Sequence, residues 1–165
     1  MLVLGIDPGT ATTGYGLLAF EHGRMRPIEF GTVRTSPRRS AEARLLLLYD
    51  GITAIIADHH PDAFAVERLF FKKNVTNALA VGQARGVALL AAAQCGLPVG
   101  EYTPAEVKQA VTGYGSADKR QVAYMVQRLL ALADAPRPDD TADALAVAIC
   151  HALASGVHTA FGVRA

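Results

Sequence analysis

The sequence predicts an α/β fold with a mixed five-stranded sheet that is flanked by helices. Three short apolar runs separated by turn residues open the chain, and helical and strand patterns alternate from residue 40 onward. Strands joined by tight turns pair antiparallel, whereas strands joined by a helical crossover pair parallel. We therefore expect the first three strands to be antiparallel and the last two to run parallel to the first.

The first three strands are short apolar runs that end at turn residues. Pro8-Gly9 follows the first run and His22-Gly23 separates the second from the third, which is turn chemistry. The predicted strands cover Leu2–Ile6, Gly14–Phe20 and Ile28–Val33.

The middle of the chain is predicted to form two helices with one strand between them. Apolar residues at helical spacing predict a helix over Ser40–His59. A short strand, Phe64–Val66, then runs into Glu67, and a helix rich in Ala and Leu covers Val75–Gln94.

The last third holds a final strand, Val99–Tyr102, and three helices. Thr103, followed three residues later by Glu106, forms a capping box with a proline between them at the first helical position. We expect Ser116 to cap the next helix, which runs to about Ala133, and the last helix to cover Asp139–Ser155.

Composition limits the class of protein. The chain has 165 residues, 51% of them hydrophobic, which predicts a single globular domain over residues 1–165. A formal net charge of +1 excludes a uniformly basic protein surface, although a local basic face would suffice to bind nucleic acid. Two cysteines, no secretory leader and no long apolar run favour a cytoplasmic location and no membrane association.

Four carboxylates form the candidate catalytic constellation: Asp7 and Glu67 at the ends of two strands, and Asp140 and Asp143 in the first turn of the last helix. Each has an ordinary alternative as a turn residue, a solvated strand end or a helix cap. Gathered together, however, they would repel one another unless a cation neutralised them. Carboxylate oxygens favour Mg²⁺ or Mn²⁺, and the histidines and cysteines lack zinc-site spacing.

Several motifs follow one another along the chain: Gly5-Ile6-Asp7-Pro8-Gly9-Thr10, Thr13-Gly14-Tyr15-Gly16, Ala65-Val66-Glu67 with Phe70, Asn74, Gly82-Gln83-Ala84-Arg85-Gly86-Val87, Val107-Lys108-Gln109, Gly115-Ser116-Ala117-Asp118-Lys119 and Asp140-Thr141-Ala142-Asp143-Ala144-Leu145-Ala146. In this order they resemble the RuvC family of Holliday-junction resolvases.

The resemblance implies a ribonuclease-H-like fold, a homodimer and magnesium-dependent cleavage of four-way DNA junctions in recombination and repair. It implies that the four acids are catalytic metal ligands. Phosphodiester hydrolysis then suggests two Mg²⁺ per site, replaceable by Mn²⁺, and paired symmetric nicks with 5′-phosphate and 3′-hydroxyl ends. A branch-migration complex of the RuvA and RuvB type is implied as a partner.

Basic and aromatic residues after Glu67 suggest the DNA contact. Basic side chains beside exposed aromatics suit phosphate binding and stacking on an unpaired base, although the phenylalanines could equally belong to the core. The candidate DNA-binding residues are Arg68, Phe70 (preferred over Phe71), Lys72, Lys73, Lys108 and Lys119. Lys119 is the candidate for the scissile phosphate and Lys108 for a neighbouring one, unless both are solvated helix ends.

Three rival functions remain open at this point. Asp7-Pro8-Gly9-Thr10 also resembles the phosphate loop of actin-type and sugar-kinase phosphotransferases, which need a second, similar domain. A junction-binding protein without catalysis and a ribonuclease H acting on RNA–DNA hybrids are the others. For a dimer, the stripe Ala78, Gly82 and Gly86 is the candidate contact, unless it packs on its own sheet.

Overall fold

The computed structural model describes residues 1–68 and 75–161. Its strands, numbered in chain order, are β1 (Leu2–Asp7), β2 (Thr12–Glu21), β3 (Arg24–Arg34), β4 (Ala63–Glu67) and β5 (Val99–Tyr102). Its helices are α1 (Ala41–His59), α2 (Val75–Gln94), α3 (Pro104–Thr112), α4 (Lys119–Leu129) and α5 (Asp139–Phe161). Among the described residues, no helix is long and apolar enough to cross a membrane.

The five strands form one mixed sheet in the order β3-β2-β1-β4-β5. β1 to β3 are antiparallel, and β4 and β5 run parallel to β1, as the sequence predicts. The turn between β2 and β3 is tight because His22 and Gly23 both have positive φ, at 51° and 76°. That backbone matches the right-handed twist of a hairpin.

β2 and β3 are longer than predicted, because polar residues extend both strands. β3 is an edge strand whose side chains are mostly exposed, so its ends carry no apolar signal. Pro27 lies within it, beside a register shift at Leu17/Leu18, where a missing backbone N–H is tolerated.

The predicted start of α4 is wrong. Asp118 caps this helix: its Oδ1 accepts from the Gln121 backbone N–H at 2.9 Å, and the Gln121 side chain accepts from the Asp118 N–H at 2.8 Å. Ser116 precedes this cap in a turn, and α4 ends at Leu129 rather than near Ala133. The Thr103–Glu106 capping box at the start of α3 is confirmed.

Strand alternation divides the core into two layers. Along β1, Leu4 and Ile6 face α1 and α2, whereas Val3 faces the layer that contains α3, α4 and α5. Along β4, Phe64 and Val66 face α1 and α2 in the same way. Because successive side chains alternate, odd-numbered positions of both strands face α5.

Candidate active site

The first two acids are neighbours at one edge of the sheet. β1 and β4 are parallel with Ile6 opposite Val66, so Asp7 and Glu67 follow side by side at the carboxyl ends. Both are odd-numbered, and both therefore stand on the face covered by α5. The local sequence thus fixes the strand end and the face of each carboxylate.

The other two acids reach this edge because glycines let α5 approach the sheet. Gly5, Gly14 and Gly16 share the α5 face, with Gly5 paired to Gly16 and Asp7 paired to Gly14. A Cβ at Gly14 would lie 2.0 Å from the Asp140 backbone oxygen, and one at Gly5 would lie 2.2 Å from Ala144 O. Glycine inside a strand commonly marks such a close backbone approach.

The turn after Asp7 is fixed by a buried threonine. The Thr13 hydroxyl donates to Gly9 O at 2.8 Å, and Gly9 N–H donates to Thr13 Oγ1 at 3.3 Å. Thr13 is buried, so its hydroxyl satisfies its hydrogen-bonding capacity with the Gly9 backbone. This turn joins β1 to β2 and holds the Asp7 backbone in place.

Burial and neighbouring carboxylates raise the pKa values of the two strand-end acids. Burial, then Asp143, Asp140 and Glu67, raise the pKa of Asp7 from 3.8 to about 7. Burial and Asp143 also raise the pKa of Glu67. The sequence prediction that these carboxylates share one site is consistent with this coupling.

A cleft of about 320 Å³ opens over Asp7, Glu67 and Asp143. Lys108 of α3 and Lys119 of α4 also line it. Lys119 Nζ donates to Asp143 Oδ2 at 3.0 Å, and this contact raises the pKa of Lys119. Both lysines proposed from the sequence therefore lie at the acidic cleft.

Asp140 is in the first turn of α5, one residue after its start, rather than at the helix cap. It does not line the cleft itself, although it is close enough to raise the pKa of Asp7.

Arg68 follows β4, where its backbone N–H donates to Tyr102 O at 2.7 Å, and its side chain is exposed. Phe70, Lys72 and Lys73 lie outside the described residues.

Arg85 is a site residue that sequence reasoning missed. Its Nε donates to the backbone oxygen of Glu67 at 3.2 Å, and its guanidinium pairs with Glu101 of β5. It thereby ties α2 to the end of the strand that carries Glu67. The available signal was that Arg85 is the sole charged residue in the sequence of Val75–Gln94.

The donor set fits a hard divalent cation. Oxygen-only ligands and the mutual repulsion that raises the Asp7 pKa both favour Mg²⁺ or Mn²⁺. In the present rotamers, no three His, Cys, Asp or Glu side chains within residues 1–68 and 75–161 converge closely enough to hold an ion. The Lys119 ammonium, hydrogen-bonded to Asp143, supplies positive charge there instead.

In metal-free buffer the raised pKa of Asp7 should make a contribution to stability that falls as pH rises from about 4 to about 7. Unfolded Asp7 releases its proton near 3.8 and folded Asp7 near 7, so the folded chain holds the proton more tightly. The free-energy cost of ionising Asp7 in the folded chain therefore grows between pH 3.8 and about pH 7, and it is constant at higher pH. Calorimetry in EDTA at pH 5 and pH 8 should show a smaller fall in Tm for Asp7→Asn than for wild type, and equal falls would contradict the raised pKa.

Comparisons with known proteins agree on one family. The family model described as "Crossover junction endodeoxyribonuclease RuvC" matches residues 3–151. A curated relative of that description from Desulforamulus reducens is 58% identical over 152 residues, which cover 92% of this chain and 93% of the relative. The Thermus thermophilus RuvC structure superimposes with a TM-score of 0.89 at 40% identity, covering 96% of this chain and 98% of that one. A structure of T. thermophilus RuvC in complex with a Holliday junction substrate gives a TM-score of 0.88 at 38% identity, with the same coverage.

Proposed function

The chain belongs to the RuvC family of crossover junction endodeoxyribonucleases, and from that premise we propose that it resolves four-way DNA junctions. Its fold is the ribonuclease-H-like fold of that family, and it is an endonuclease that hydrolyses DNA phosphodiester bonds. The observation that carries the proposal is the coupling of four acids around Asp7 at one sheet edge. The junction-bound relative from T. thermophilus supports the choice of substrate.

Asp7, Glu67, Asp140 and Asp143 would hold Mg²⁺, with two ions per site and Mn²⁺ as a substitute. Bound there, the ions would supply an activated water and neutralise charge on the departing 3′ oxygen. Hydrolysis with that leaving group gives 5′-phosphate and 3′-hydroxyl ends.

The chain's own residues position the strand. Lys119 is placed at the cleft beside Asp143, where its ammonium can contact the scissile phosphate once Asp143 binds a metal ion. Lys108 also lines the cleft, and its charge offsets part of the rise in the pKa of Glu67 that burial and Asp143 cause. We assign it to a neighbouring phosphate.

The remaining DNA contacts are proposed from the sequence. Arg68 is exposed at the end of β4, directly before the segment that carries Phe70, Lys72 and Lys73. We assign stacking on an unpaired base to Phe70 and phosphate contact to the three basic residues.

The working unit is proposed to be a homodimer. Paired symmetric nicks require two sites, whereas one chain carries one acidic cluster, and a two-fold dimer matches a nearly symmetric junction. Support comes from α2, whose Ala88 and Ala91 are buried in the core layer shared with α1 and the sheet, whereas Leu79 and Leu90 are 65% and 51% exposed. A Cβ at Gly86 would meet nothing within 4 Å.

Replacing both exposed leucines of α2 by glutamate should produce a monomer. Placing charge at an apolar contact removes two anchors worth about 2 kcal/mol each, which together weaken association by about a thousandfold. Sedimentation velocity at micromolar concentration should show a dimer for wild type and for the control Leu129→Glu, which alters an exposed leucine of α4. A wild-type monomer that still makes paired nicks would exclude the dimer.

The direct test of function is incubation with a synthetic four-way junction, a linear duplex and an RNA–DNA hybrid, with and without Mg²⁺. We expect paired symmetric nicks in the junction alone, and only with the metal. Preferential cleavage of the hybrid would favour the ribonuclease H alternative. Membership in an endodeoxyribonuclease family already removes the phosphotransferase and non-catalytic alternatives.

The broader setting is also proposed. We place the protein in homologous recombination and DNA repair, in the cytoplasm, as a single RuvC-type domain over residues 1–165. A branch-migration complex of the RuvA and RuvB type would deliver its junctions.

A further inference from the structure

A second cavity, of about 440 Å³, lies beside the acidic cleft. One wall is a stripe of α4 with Arg120, Tyr124 and Gln127 at helical spacing. The facing wall is the connector 135–137 with the first turns of α5. Lys119 and Asp143 line both cavities, so this groove is continuous with the cleft.

Two guanidinium groups stand on opposite walls of the groove. Arg120 lies on α4 and Arg137 on the connector, and both are exposed. Neither makes an ion pair or side-chain hydrogen bond with any residue that the structure describes. The groove also contains Lys119, and its two carboxylates are those of Asp139 and Asp143, of which Asp143 pairs with Lys119.

The groove has fixed walls. Gln127 Nε2 donates to Ala133 O at 3.0 Å and to Leu132 O at 3.4 Å, which ties the turn that follows α4 to that helix. Pro136, the middle residue of the connector, is buried. Tyr124 is 58% exposed and presents an aromatic ring beside Arg120.

We propose that this groove binds the DNA strand that leaves the catalytic cleft, with Arg120 and Arg137 each contacting a backbone phosphate. The inference rests on the proposed function and extends its site. A strand whose scissile phosphate lies at Lys119 passes directly into the groove, since the two cavities meet there. Two unpaired guanidiniums complement phosphates, which they bind in bidentate geometry.

The test is the salt dependence of junction binding for Arg120→Gln/Arg137→Gln, measured by fluorescence anisotropy in EDTA. Each lost phosphate contact lowers the slope of log affinity against log salt by about 0.7 to 0.9, so two lower it by about 1.4 to 1.8. The affinity deficit relative to wild type should therefore shrink about 7- to 12-fold between about 50 and 200 mM NaCl.

The matched control is Arg24→Gln/Arg26→Gln, which removes the same charge at the opposite end of the sheet from Asp7. The control should keep the wild-type slope. Equal slopes for the groove variant and wild type, or equal loss in the control, would overturn the inference. Wild type that fails to cleave the junction would instead overturn the proposed function, so the two failures are distinguishable.

Discussion

Asp7→Asn should abolish cleavage of a four-way junction and leave junction binding largely intact. Asp7 is central to the acidic cluster, since burial and then the charges of Asp143, Asp140 and Glu67 raise its pKa. The substitution removes a ligand charge with almost no change in volume. Losing metal stabilisation of about 4 kcal/mol would slow cleavage about a thousandfold.

The measurement is single-turnover nicking of a labelled junction in Mg²⁺, with binding followed separately by anisotropy. Asp58→Asn is the matched control, because Asp58 is exposed near the end of α1 on the other layer. Cleavage by Asp7→Asn at near the wild-type rate would refute the metal assignment. Glu67→Gln and Asp143→Asn should behave as Asp7→Asn does.

Gly14→Ala should reduce both stability and cleavage, although residue 14 carries no functional group. The added Cβ would lie 2.0 Å from the Asp140 backbone oxygen and 2.4 Å from its carbonyl carbon. Backbone cannot rotate aside as a side chain does, so the first turn of α5 must shift. Overpacking of this kind costs about 1 to 3 kcal/mol, and displacing a catalytic group by about 1 Å can slow a reaction about 100-fold.

Thermal unfolding and nicking rates would be measured together, well below the Tm of the variant. Gly115→Ala is the control, because its nearest neighbour, Ala105 O, would lie at an ordinary 3.4 Å from the new Cβ. Gly5→Ala should destabilise as well, since its Cβ would meet Ala144 O of the same helix. Wild-type stability and rate in Gly14→Ala would show that close seating of α5 does not position Asp140.

Some elements were predictable because their signals are local. Apolar period and turn residues gave the five strands, their directions and α2 with its observed ends. The Thr103–Glu106 box was readable for the same reason. The prediction that Ser116 caps α4 was wrong because Asp118, two residues later, is an equally good capping residue. The reciprocal hydrogen bonds between Asp118 and Gln121 satisfy backbone N–H groups at the start of the helix.

The positions of the candidate site residues could be predicted in part from the sequence. Strand-end positions and a parallel pairing placed Asp7 and Glu67 together, because carboxyl ends of parallel neighbours share an edge. The alternation of side chains along a strand also predicts that Asp7 and Glu67 stand on the same face of the sheet. The role of Arg85 did not follow, because a hydrogen bond to Glu67 O spans eighteen residues of chain and depends on how α2 packs.

The sequence by itself determined the sheet and the strand or helix on which each of the four acids lies, because residue type, spacing and turn chemistry act within a few positions along the chain. The tertiary structure decided how closely those acids approach. α5 reaches the sheet because Gly5, Gly14 and Gly16 leave its backbone room, and that approach is a contact between segments more than 120 residues apart. The raised Asp7 pKa and the groove beside α4 follow from the same packing, since burial and facing walls exist only once distant segments meet.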